Sequence, residues 1–124
     1  MASLRYTDDH EWLRIEADGN ATIGITDHAQ DALGDIVFVE LPEVGRHFAK
    51  GDAACVVESV KAAADVKMPV AGTIVEVNAA LPDDPAKVNT DPLQSGWFIK
   101  VKPDNAGDLD GLMDDAAYQA LLKA

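Results

Sequence analysis

Cysteine is nearly absent from this chain. Cys55 stands alone, so no internal disulfide can form, in keeping with a reducing compartment. It sits in the apolar run Ala53-Ala54-Cys55-Val56-Val57, where a buried, inert thiol is expected. A catalytic thiol would need a nearby base and partial exposure. Positive charge is scarce too: 10 Lys and Arg stand against 22 Asp and Glu, a net charge of −12. Such a balance repels phosphate backbones and acidic lipid, which makes nucleic acid and membranes poor candidate partners. It suits partners that approach through basic patches of their own. No apolar run nears the ~18 residues a bilayer-spanning helix needs, and Met1-Ala2-Ser3-Leu4-Arg5 lacks a signal-peptide core. The expected location is therefore the bacterial cytoplasm, or the mitochondrial matrix if a presequence has been removed. Metal and nucleophile patterns are missing as well. His10, His28 and His47 fall on separate elements, with no H-x-x-x-H, paired-cysteine or Ser/His/Asp arrangement. The glycines sit singly, with no phosphate-cradling run. An enzyme is not the expectation.

What is present is alternation and punctuation. A chain of 124 residues fits one domain, 1–124, with a hairpin core over about 35–80 and C-terminal helices over about 105–123. Strands are expected at Trp12–Glu16 and Ala21–Ile25, joined by the turn Asp18-Gly19-Asn20. Thr26 or Asp27 can cap a short helix over Asp27–Leu33, which Gly34 ends. Ile36–Leu41 is strongly β-forming, and His47–Asp52 reads as a short edge running into a turn. Ala53–Glu58, the reversal Ser59–Ala62 and Ala64–Met68 form a hairpin. The bend Pro69–Gly72 and the strand Thr73–Asn78 follow. One helical turn is expected within 81–92, and a last strand at Trp97–Lys102. The tail changes period: Leu109, Leu112 and Met113, then Ala117, Tyr118, Leu121 and Leu122, suit amphipathic helices packed on a sheet. Many short strands with frequent turns indicate a sandwich or flattened barrel.

Lys61 lies at the centre of this pattern, ten residues after Gly51 and eleven before Gly72. A hairpin flanked so evenly by glycine turns projects its central lysine away from the core. An amine that is to be acylated needs exposure and a rigid backbone to be recognised on. Ser59, Ala62, Ala63 and Ala64 leave the ammonium unobstructed, and Glu58 stands three residues before it.

Glu58-Ser59-Val60-Lys61-Ala62, with Asp65-Val66 and Pro69-Val70-Ala71-Gly72, closely resembles the lipoyl-attachment signature of the glycine cleavage system H proteins. Tyr6-Thr7 with His10-Glu11-Trp12, the stretch from Gly24 to Gln30, and Leu33 to Pro42 are similar to that family too. So are Val77-Asn78, Val88-Asn89, Asp91-Pro92 and Gly96-Trp97, and the likeness covers roughly residues 4–122. Ala64 and Ala71 stand where the family often has serine, and Lys67 where a neutral residue is common.

The resemblance implies a mainly β barrel-sandwich hybrid with accessory helices and lipoate in amide linkage to Lys61. Glu58 would be read by the lipoylating enzyme (a lipoate ligase or a lipoyl/octanoyl transferase), with Gly51 and Gly72 as flanking turns. It implies a non-catalytic carrier that receives the aminomethyl group of glycine from a pyridoxal-phosphate decarboxylase. The carrier would pass it to a tetrahydrofolate-dependent aminomethyltransferase and be reoxidised by a flavin- and NAD-dependent dihydrolipoamide dehydrogenase. A labile aminomethyl adduct benefits from a shielding cleft, for which Glu11 and Asp65 are the candidate carboxylates. Because such a carrier docks transiently and keeps its hairpin free, a monomer is expected. A biotin carrier fits less well, since Lys67 of Val66-Lys67-Met68 is only five residues from Gly72 and Val60 and Ala62 flank Lys61. A lipoyl relay, or a paralogue serving another lipoate-dependent pathway, remains the alternative within the same fold.

Overall fold

The computed structural model describes residues 3–16, 18–105, 107 and 111–123. Strands β1 (Ser3–Tyr6), β2 (Glu11–Ile15) and β3 (Ala21–Ile25) lead into helix α1 (Asp27–Leu33). Then come β4 (Ile36–Glu40), β5 (His47–Phe48), β6 (Ala53–Ser59), β7 (Ala63–Lys67) and β8 (Gly72–Val77). Helix α2 (Lys87–Thr90), β9 (Ile99–Pro103) and α3 (Asp115–Lys123) complete the described elements. They make two antiparallel sheets, one ordered β1-β2-β3-β9-β8-β5 and the other β4-β6-β7.

Both sheets feed one apolar core. Leu13, Ile23, Ile74, Ile99 and Val101 come from the larger sheet, and Val39, Val57 and Val66 from the smaller. Period-two alternation turns these side chains inward from either side, and their burial is the main stabilising term. The result is a sandwich in which the sheets stay open rather than closing into a barrel. A second cluster of Tyr6, Trp12 and Tyr118 holds α3 against the outer edge, where the Tyr6 and Tyr118 rings stack at 4.5 Å.

Several expected boundaries shift for local reasons. The last strand starts at Ile99 rather than Trp97, because Asn78 Nδ2 donates to the Trp97 and Ser95 carbonyls, each at 2.8 Å. The edge at His47 stops after Phe48, where the Asp52 carboxylate accepts the Ala49 N–H and closes the turn. Helix α1 forms as expected: Thr26 Oγ1 accepts the Ala29 N–H, and Gly34 closes the helix at φ 85°. Strand β1 is an addition that the alternation pattern did not announce. At the tail, α3 carries the buried Tyr118, and Leu112 packs on the core. Leu109 lies outside the described residues. No described helix is long and apolar enough to cross a membrane.

Candidate functional site

The hairpin β6–β7 carries Lys61 at its tip. Glu58 pairs with Ala63 as the last rung before the reversal. Ser59 then knits the turn. Its N–H donates to the Ala62 carbonyl at 2.7 Å, and its hydroxyl donates to that same oxygen at 3.2 Å. The hydroxyl also accepts the N–H groups of Lys61 at 3.2 Å and Ala62 at 3.0 Å. The turn is thus held by its backbone and one serine, and the Lys61 side chain is left exposed.

A second brace reaches the tip from outside the hairpin. The Val60 N–H donates to the Asp35 carbonyl at 3.0 Å, joining the tip to the α1–β4 loop. Asn89, on α2, fixes that loop. Its Nδ2 donates to the Gly34 carbonyl and to Gln30 Oε1, each at 2.9 Å, while its Oδ1 accepts the Ile36 N–H at 2.8 Å. Three hydrogen bonds from one side chain lock 30, 34 and 36 together, and through them the base on which Lys61 stands. The lysine leans toward this loop: a Cβ placed on Gly34 would lie 3.4 Å from Lys61 Cε. Sequence reasoning did not identify Asn89 as a brace. The pair Val88-Asn89 was visible, but nothing in its spacing tells that it meets residues more than fifty positions earlier.

On the β7 side lies a polar cleft. Glu11 is only 3% exposed, and its Oε2 accepts the Lys67 N–H at 2.6 Å. Its Oε1 accepts the Thr7 hydroxyl at 3.2 Å. Burial raises the Glu11 carboxyl to about 7; the Lys67 N–H bond opposes that rise without cancelling it. Glu11 lines a cavity of about 310 Å³ with Asp9, Gly51, Lys67, Met68 and Met113. Asp65 lines an adjoining depression of about 410 Å³ with Val56, Ala63 and Ala64. Asp9 and Lys67 border both. The two expected carboxylates therefore face neighbouring hollows on one flank, not a single pocket.

The other expected residues fall as follows. Glu58 is exposed on the outer face of the smaller sheet, laterally between Phe38 and Ala63. Gly51 adopts φ 88° in the turn before β6 and forms part of the cleft wall. Gly72 is not in a turn. It opens β8 between Phe48 and Pro103, where any Cβ would come within 2.7 Å of the Lys102 carbonyl. Close backbone approach, rather than turn geometry, demands glycine there. Cys55 is buried, which pushes its thiol up to about 12. His10 Nδ1 lies 2.8 Å from the Tyr118 hydroxyl, and His47 Nε2 lies 2.6 Å from Asp104. Among the described residues no His/Cys/Asp/Glu group could hold a metal ion.

An exposed, braced lysine thus stands at the tip of a hairpin whose returning strand borders two hollows, lined by apolar residues, by the carboxylates of Asp9, Glu11 and Asp65, and by Lys50 and Lys67. The family model for the glycine cleavage H-protein matches residues 4–124. A glycine cleavage system H protein of Chromobacterium violaceum is 62% identical over 94% of this chain and 91% of its own length. Glycine cleavage system H protein 2 of Pseudomonas aeruginosa is 56% identical over 99% of this chain and 95% of its own. The crystal structure of a glycine cleavage system H protein from Mycobacterium marinum superposes with a TM-score of 0.89 at 41% identity, covering 98% of each chain.

Proposed function

Because the chain belongs to the glycine cleavage H-protein family, we propose that it is that system's lipoyl carrier, with lipoate in amide linkage to Lys61. One observation carries the reading: Lys61 is presented on a turn whose hydrogen bonds make no use of the lysine side chain. Acylation of Nζ therefore leaves the scaffold as it is. Glu58, exposed one rung below the turn, is the mark for a lipoate ligase or lipoyl/octanoyl transferase.

When attached, the lipoyl group supplies the disulfide–dithiol couple that accepts and releases the aminomethyl group. The chain's own residues bind and shield. Met68, Met113 and Pro69 offer an apolar wall, while Glu11 and Asp65 offer carboxylates to a protonated amine. Shielding of this kind excludes the water that would hydrolyse the adduct. The carrier is a single non-catalytic domain over 1–124 and a cytoplasmic monomer. It serves in turn a pyridoxal-phosphate glycine decarboxylase, a tetrahydrofolate-dependent aminomethyltransferase and dihydrolipoamide dehydrogenase.

The test is intact mass with peptide mapping after co-expression with a lipoate ligase and free lipoate. A single lipoyl addition on the Lys61 peptide, lost in Lys61→Ala, is the expected result. An unmodified chain, or addition at another lysine, would refute the assignment.

A further inference from the structure

Three features around Lys61 lie outside the cleft. The side chain leans over Gly34, toward the loop that enters β4, and so away from the β7 flank where Glu11 and Asp65 lie. Beside it, the β4–β6 register shifts between Ile36 and Phe38. This bulge sets Val37 and Phe38 outward together, at 55% and 46% exposure, and Val60 at the tip is 69% exposed. A bulge that places adjacent apolar side chains in water reads as a device for re-aiming them rather than a defect. Apart from Lys61 itself, the flanking sequence is acidic. Between Arg14 and Arg46 the chain has no lysine or arginine, but it has Asp31, Asp35 and Glu40; Glu58 stands directly across from Phe38.

We propose that the β4 flank of the hairpin is the docking surface for the enzyme that attaches lipoate, which seats Val37, Phe38 and Val60 in an apolar hollow rimmed by Lys or Arg. The inference rests on the carrier reading and goes beyond it by giving loading and holding opposite flanks of one hairpin. The attaching enzyme, and not one that later uses the arm, is the occupant for a simple reason. Enzymes that use the arm can stand off by its length, whereas the attaching enzyme must bring its acyl donor to Nζ itself. In that step the ammonium gives a proton to a base, and the free Nζ pair adds to the carbonyl carbon of an activated lipoyl donor. The new C–N bond forms, the donor's leaving group departs with its bonding pair, and the second Nζ proton is lost to the base. Charge complementarity sets the partner's chemistry, since apolar contact ringed by carboxylates calls for apolar contact ringed by cations. A second copy of this chain is a poor occupant: at −12 each, two copies repel, and the bulge interrupts the edge a partner strand would need.

The test is lipoate-ligase kinetics on the unloaded carrier, read as mass gain at Lys61, with direct binding of unloaded carrier to the ligase measured beside it. Val37→Ser/Phe38→Ser should raise KM and weaken binding by roughly tenfold with kcat within about twofold, the size expected when a central apolar contact is removed. Val60→Ser, made separately in the turn, should raise KM in the same direction. Val44→Ser and Val75→Ser, exposed apolar residues away from the tip, should leave both values unchanged. Acetylation of Lys61 by acetic anhydride should match wild type in every variant, showing an intact tip and a free amine. Unchanged KM and binding in both tip variants, with wild type loading normally, overturns the docking surface alone. An equal rise in the Val44 and Val75 variants overturns it too, as does a wild-type dimer that the double substitution dissolves. Failure of wild type to accept lipoate overturns the carrier reading, and this inference with it.

Discussion

The tip of the β6–β7 hairpin and the cleft beside its returning strand solve opposite problems within a few residues of each other. At the tip a charged side chain stands in water, and its position is set entirely by other groups: the Ser59 hydroxyl, the Val60 N–H and, one shell out, Asn89. In the cleft a carboxyl is buried almost completely and is tied by its own oxygens to Lys67 and Thr7. The tip is therefore shaped by hydrogen bonds around an exposed side chain, whereas in the cleft burial sets the state of the side chain itself, raising the Glu11 carboxyl to about 7.

The largest test of this contrast is on the cleft side. The folded Glu11 carboxyl holds its proton up to about 7, against 4.5 ordinarily, so between those values the folded state binds the extra proton. Stability then falls as pH rises through that window, by on the order of 3 kcal/mol when complete. Glu11→Gln should flatten the dependence in urea melts at pH 5 and pH 8; an undiminished slope would show that the titrating group lies elsewhere. The same substitution, like Asp65→Ala, should speed ammonia release from the aminomethyl-loaded carrier. In wild type that protection should fade below pH 7 as Glu11 takes up its proton. Equal release rates in all three proteins would remove both carboxylates from the shielding role.

Next comes the brace. Asn89→Ala deletes three partly buried hydrogen bonds and should lower stability by about 2 kcal/mol. Its sharper signature is local: the Val60 amide, bonded to Asp35, should exchange with solvent faster than the β6–β7 rungs below it. Uniform exchange along the hairpin would mean that the loop does not steady the tip. The smallest effect belongs to Ser59→Ala, about 1 kcal/mol, because the turn keeps its backbone bond to Ala62. Lipoylation of that variant should slow through KM with the pH profile unmoved, in contrast to Glu11→Gln.

Much of this was legible in the chain. Period-two runs marked β3, β4, β6, β7 and β8 to within a residue or two, and Thr26 with Gly34 bracketed α1, because capping and alternation are local physics. The likeness around Glu58–Ala62 marked Lys61. What escaped was set by distant partners. Leu4-Arg5-Tyr6 is too short to show a period and becomes a strand only because β2 offers it a ladder. Asn89 looks like any loop asparagine until the Gly34 carbonyl is brought to it. Gly72 read as a turn glycine because its demand comes from the Lys102 backbone, thirty residues on. Glu11 could be named from the resemblance, but its shifted proton affinity depends on a burial that no local pattern encodes.

The Ser59 turn has one further result. Since none of its bonds passes through the Lys61 side chain, acylation of Nζ leaves every one of them in place. Any change that attachment brings to the stability of the fold must then come from where the arm rests and not from where it is tied, because a group that binds only the folded state adds its binding energy to that state.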